Sequence, residues 1–393
     1  MAGFTELVRS LMGERNTSVR GLAAQVKYDQ GGLSKVIAGQ RRCPPYLAKL
    51  IDEVLDADGH VIAAAAEAPE PPADAEKIRR ALEDALADGA MPVAMLDDWD
   101  SAVDQYGYRT RDTPSPVLLA DLTADLAELR LAMGRHRSAS ALPRLALTAA
   151  RMCGLVTLLC VKAGDRQAWR RWGRTARHAA NEAGDRTALS WATAQEAYGY
   201  YYAGDMPGAV ASARAALDAT RVPCVGGALA AALEMRAHAA TGDATAARAA
   251  MGTAERIHAA LSASELVPSA FGYAESQLRF HAGDALTALG DTDAALPVLD
   301  RALELCPAAD FTDWAMTRLN RAACMILDGD PDTGVAYAAD TLTALDVPRR
   351  QGVIAGRGDA LLAALPVEQR ASRAGRELRA LLDDTAGQKE IRA

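Results

Sequence analysis

Aromatic side chains make up only 5% of this 393-residue chain, and Val, Ile and Phe are sparse beside alanine. That balance starves β-sheets and suits helices. Six cysteines, at 43, 153, 160, 224, 306 and 324, include no C-x-x-C pair and no regular framework. They read as reduced, mostly buried thiols of a cytoplasmic protein. Arg9, Glu14 and Arg15 punctuate residues 1–20, which predicts no secretory leader. No apolar run promises the length a membrane span needs, so no membrane partner is expected. The nucleotide-binding, zinc-protease and nucleophile-elbow signatures G-x-x-x-x-G-K-[ST], H-E-x-x-H and G-x-S-x-G are missing, as is a strand-borne G-x-G-x-x-G. Histidines 60, 136, 178, 238, 258 and 281 are scattered without i, i+4 pairing. "RGD" at 357–359 is a three-letter match without context. Together these absences predict no catalytic residue, no metal site, no cofactor and no enzyme.

What is present is half apolar, enough for a substantial core. The net charge of −8 is unevenly spread. Residues 1–50 hold eight basic side chains against Glu6, Glu14 and Asp29, a net of +5 that leaves −13 for the remainder. A small basic head on an acidic body suits a protein whose head alone meets a polyanion.

Within that head, Phe4, Leu7, Val8, Leu11 and Met12 form a helical stripe. Thr17 or Ser18 can cap a second helix burying Val19, Leu22, Ala23 and Val26. Asp29 is placed to cap a third, with Leu33, Val36 and Ile37 inward and Gln30, Gly31, Ser34 and Lys35 outward. Gly39 stops it. Pro44-Pro45 start a fourth helix with Leu47, Leu50, Ile51, Val54 and Leu55 inward. The stretch "SVRGLAAQVKYDQGGLSKVIAGQRRCPP" resembles the Xre/Cro type of helix-turn-helix, in the form common in high-GC Gram-positive bacteria. Leu22, Ala23, Leu33, Ser34, Lys35, Gly39 and the following Arg-Arg and Pro fall where that pattern expects them. Lys27 replaces the usual turn glycine, and Val19 stands where a phosphate-contacting Gln is common.

The resemblance implies that the third helix enters the major groove of double-stranded DNA by its N-terminal end. Base reading then falls on Gln30, Ser34 and Lys35, with Gly31 leaving one expected position blank, while Arg41 and Arg42 hold phosphates; Asp29 and Arg20 complete the expected DNA-binding set. Gln suits adenine and Lys suits guanine. Two adjacent glycines, Gly31 and Gly32, either allow close approach to DNA or relieve crowding against the second helix.

Residues 1–66 are thus read as the DNA-binding domain. "EAPEPPAD" (67–74) is a proline-rich linker, followed by a helical connector at 75–135. Gly-Asp pairs then recur at 164–165, 204–205, 242–243, 290–291 and 329–330, with intervening pairs such as Gly184-Asp185 between hairpins. Alanines at helical spacing follow, as in Ala209, Ala213 and Ala216, or in Ala295, Leu299 and Ala302 before Pro307. This resembles the tetratricopeptide pattern, with a Gly-Asp turn between helices A and B. The expected fold is all-α: a helix-turn-helix bundle, then a tetratricopeptide-like α-solenoid over 136–345 with capping helices at 346–393. In that family the concave surface is lined by A helices. Its groove-facing positions map onto Trp191, Tyr198, Tyr201 and Tyr202, then Arg236 and Gln277, as candidates for ligand binding.

A helix-turn-helix head on such a body is similar in layout to the peptide-responsive regulators of Gram-positive bacteria and to actinobacterial regulators of development. It implies a homodimeric, sequence-specific transcriptional regulator whose body senses a small molecule or short peptide. The alternative is a helical-repeat interaction scaffold whose head reads no specific DNA.

Overall fold

Short polar side chains open the head's helices where their chemistry predicts. Ser18 accepts a hydrogen bond from the Gly21 N–H at 3.1 Å, and Asp29 accepts one from Gly32 at 2.6 Å. Each satisfies a backbone donor that a helix start leaves free. In the computed structural model, which describes residues 4–15, 17–26, 28–38, 43–67, 93–136 and 138–392, every element is helical. The chain divides into two units, Met1–Ala90 and Met91–Ala393. Of the expected linker, residues 68–74 lie outside the described residues, as do Lys27, Gly39, Arg41 and Arg42.

The first unit holds α1 (Phe4–Glu14), α2 (Val19–Gln25), α3 (Gln30–Ile37), α4 (Pro45–Leu55) and α5 (His60–Glu67). Its own core gathers Phe4, Val8, Met12, Leu22, Leu33, Ile37, Leu47, Ile51 and Val61. Leu50, expected inward, is instead 37% exposed. The buried Asp52 carboxylate accepts from Gly59 and Val61 N–H groups, both at 2.9 Å, and so caps α5.

The second unit opens with α6 (Val93–Arg109) and α7 (Ser115–Arg135). Five hairpins follow: α8 (Ala141–Ala163) with α9 (Ala168–Ala183), α10 (Arg186–Tyr202) with α11 (Met206–Ala219), α12 (Val225–Ala240) with α13 (Ala244–Ala259), α14 (Glu275–Ala288) with α15 (Thr292–Leu305), and α16 (Phe311–Leu327) with α17 (Pro331–Thr343). Each of the five Gly-Asp pairs sits in the turn inside one hairpin. The dipeptide does two jobs. Its glycine takes φ between 73° and 89°, a left-handed helix exit that a Cβ disfavours. Its aspartate caps the next helix through a side-chain acceptor in four of the five, Asp291 being the exception. Ala209, Ala213, Ala216, Ala295 and Ala302 are buried where the paired helices approach.

The first helix of each hairpin packs on the first of the next, so α8, α10, α12, α14 and α16 form one continuous layer. Beyond it come a 3₁₀ turn (Val347–Arg349), α18 (Val353–Ala364), α19 (Val367–Arg370) and α20 (Arg373–Arg392). While α20 packs on α17, α18 returns to α8. At that junction Gly352, at φ +65°, lies so close that a Cβ would overlap the Lys162 carbonyl.

One expectation needs correction. α8 is, by length and composition, apolar enough to cross a bilayer, although no such run was expected. Of its most apolar window, 78% is buried inside this unit, so the apolarity serves the core. The thiols are free and, apart from the half-buried Cys306, buried; desolvation pushes Cys43 and Cys160 up to about 11.

Two glycine substitutions separate conformational from steric cost. Gly242→Ala faces open space and carries only the left-handed penalty, about 1–2 kcal/mol. Gly352→Ala adds a backbone collision and is expected to exceed about 3 kcal/mol. Thermal melts should show the second falling clearly further, and equal losses would contradict the close contact at Lys162.

Candidate functional site

On the head, the face of α3 follows from its period. Leu33, Val36 and Ile37 are buried, which leaves Gln30, Gly31, Ser34 and Lys35 exposed together with Asp29 and Arg20. Asp29 is committed to capping, so it positions the helix start. Between the two glycines the reasons differ. A Cβ at Gly32 would press on the Tyr28 ring at 3.0 Å and Asp29 at 3.2 Å, whereas one at Gly31 would make only ordinary contact, with Asp29 at 3.4 Å. Crowding therefore accounts for Gly32, and it does not account for Gly31. Among the described residues Arg20 and Lys35 form no ion pair, whereas Arg15 is held by Asp56 at 3.0 Å.

On the body, the inner helix layer converges on one carboxylate. Asp284 of α14, 6% exposed, accepts from Arg236 Nε of α12 at 2.7 Å and from the Tyr201 hydroxyl of α10 at 3.0 Å. Its other oxygen accepts from Asn320 Nδ2 of α16 at 2.9 Å. Arg236, 1% exposed, also donates to the Tyr202 hydroxyl at 3.2 Å and lies 4.2 Å from the Tyr201 ring centroid. Burial by itself would raise the Asp284 carboxyl. The Arg236 guanidinium outweighs that, with help from Arg357 and the donated hydrogen bonds, and holds it at about 2. For His281, burial and then Arg236 push the imidazole well below its ordinary range, so it stays neutral beside the Tyr273 hydroxyl.

A second knot lies alongside. Arg111, from the loop after α6, donates to Asp310 at 2.8 Å, Asp313 at 2.6 Å and the Gln277 amide oxygen at 2.9 Å. The last turn of α6 meets the segment Ser269–Tyr273 through the Ala270 N–H, which donates to the Gly107 carbonyl at 3.0 Å, and this segment and the loop together line a small void. A cavity of about 390 Å³ is bounded by Tyr201, Tyr202 and Asp284 on one side and by Arg166, Met316 and Arg357 on the other.

The six ligand candidates therefore do not share one groove. Tyr201 and Tyr202 face the 390 Å³ cavity. Arg236 does not line it; its Nε and Nη2 donate to Asp284 and Tyr202, and its Nη1 is buried without a partner. Tyr198 and Gln277 border an enclosed void of about 30 Å³, and Gln277 is engaged by Arg111. Trp191 stands apart, 5% exposed, its indole N–H donating to the Ala270 carbonyl at 2.8 Å. Its ring fits against Gly154, where a Cβ would collide with it. Sequence reasoning missed Asp284, Asn320, Arg111, Arg166 and Arg357. A lone Arg in "LAAALEMRAHAA" was a usable signal, because a buried guanidinium demands a carboxylate on a neighbouring helix. No protein-family model, curated protein or solved structure matches the chain.

Arg236→Ala should cost about 3–5 kcal/mol, because it strands a buried carboxylate. Tyr201→Phe removes one donor among three and should cost about 1–2 kcal/mol. Since the Asp284 pKa is depressed from 3.8 to about 2, its stabilisation is complete above pH 4 and lost as pH falls toward 2. That loss amounts to about 2 kcal/mol. Asp284→Asn should lower stability at pH 7 and flatten the decline between pH 4 and 2; an unchanged acid limb would contradict this charge assignment.

Proposed function

We propose that this chain is a sequence-specific, DNA-binding transcriptional regulator. In this reading the first unit is an Xre/Cro-type helix-turn-helix head. The hairpin array is a tetratricopeptide-like α-solenoid that dimerises the protein and senses a ligand. The observation that carries it is the α3 face: Gln30, Gly31, Ser34 and Lys35 are exposed along one capped helix, with Gln30 and Gly31 in its first turn, none of them used by the head's core. The +5 charge of residues 1–50 supplies the non-specific attraction to phosphate. The size of the Tyr201–Tyr202 cavity, about 390 Å³ and separate from the void beside Tyr198, favours a small molecule over an extended peptide. A ligand there regulates only if it binds the DNA-competent dimer differently from the incompetent one.

Selecting bound duplexes from a random library tests the reading directly. A defined motif with two half-sites about one helical turn apart, or a multiple of that, is expected from a homodimer. Lys35→Ala and Gln30→Ala should each cost about 1–3 kcal/mol on the selected site and relax preference at one base position. Arg41→Ala should weaken all duplexes alike. No enriched motif, or a monomer by sedimentation at micromolar concentration both free and on DNA, would overturn the assignment and leave the scaffold reading.

A further inference from the structure

We propose that the 390 Å³ cavity between α10 and α18 is an anion-selective pocket whose ligand is a carboxylic acid with a flat or extended apolar body. The inference deepens the ligand-sensing part of the proposed function and rests on that reading only for its regulatory meaning. Its size lies in the range of small-molecule sites, which are largely apolar with a few convergent polar groups. Here Tyr201, Tyr202, Trp169, Met206 and Met316 supply the apolar and aromatic wall.

The charge balance sets the polarity. Asp284 contributes a carboxylate to the wall, but Arg236 already neutralises it at 2.7 Å, and Tyr201 and Asn320 occupy further acceptor positions. Among the described residues neither Arg357 nor Arg166 forms an ion pair; Arg357 adds to the positive field on Asp284, which Arg236 contacts directly. The Arg357 Nε is buried and accepted by no atom. A half-buried guanidinium whose Nε has no acceptor is costly, and its fixed fork matches a carboxylate bidentately. The net surplus facing the cavity is therefore positive.

Position adds a consequence. Arg357 belongs to α18, which returns to α8 through the Gly352–Lys162 contact, whereas the tyrosines belong to α10. A ligand held by both bridges α18 and α10.

Calorimetric titration of the full chain tests this with 2-naphthoate and octanoate, their neutral amides, 2-naphthylmethylamine and inorganic phosphate. At least one carboxylate should bind one-to-one with Kd below about 1 mM. Its amide should bind at least tenfold more weakly, and Arg357→Gln should lose at least tenfold while melting like the wild type. Arg166→Gln should weaken binding less, since Arg166 is exposed. Equal affinity for acid and amide, preference for the amine, phosphate binding as tightly as the acid, or an intact Arg357→Gln would each overturn the proposal. So would no carboxylate binding at all. Carboxylate binding by a chain that selects no DNA would overturn the regulator reading and leave this pocket standing.

Discussion

One buried ion pair orders the body. Arg236 and Asp284 come from helices 48 residues apart, and both are withdrawn from water. Removing two charges from solvent is expensive, and a well-packed apolar substitute is often as stable or more so. The pair's contribution lies in what it fixes. One carboxylate gathers donors from α10, α12 and α16 onto α14, so four consecutive inner helices share a single set of distances. Any slip of one hairpin past the next would strand a charge, which makes register the quantity under strongest control. Tyr201, Tyr202 and the cavity above them inherit their geometry from that constraint.

Arg111 extends the same logic toward the opening helices. By reaching Asp310 and Asp313, about two hundred residues away in sequence, it ties the segment after α6 to the fifth hairpin. The Gly352 backbone against Lys162 closes the array from the C-terminal side. Beside these contacts lies the cavity of about 390 Å³ that Arg166 and Arg357 border. The head differs: its core is mainly aliphatic, with Phe4, its caps are local, and Asp52 is the one buried carboxylate among its described residues.

Local chemistry was therefore legible and long-range chemistry was not. Ser18, Asp29 and the Gly-Asp pairs act on their own neighbours, so residue type and spacing sufficed to place helix starts and hairpin turns. The inward stripe of α3 was equally readable from its period, whereas Leu50 of α4, expected inward from the same kind of period, is exposed. Trp191 and Tyr201 sit on the same helix, and nothing within α10 distinguishes them. What separates them is Gly154 on α8, whose missing side chain opens a slot for the indole, and Asp284 on α14, which claims the phenol. Arg357 stands in a three-letter match without local context, and what brings it to the cavity is the packing of α18 on α8 beside Gly352.

The central claim, that the basic head is a reader of duplex DNA, is tested most directly by affinity for a selected duplex and a scrambled control across a salt series. Each neutralised phosphate contributes about −0.9 to the slope of log affinity against log salt concentration. A dimer engaging Arg20, Arg41 and Arg42 from each head should give a slope near about −5 on both duplexes, with the selected one bound more tightly throughout. A slope near zero, or identical affinities at every salt concentration, would contradict the account.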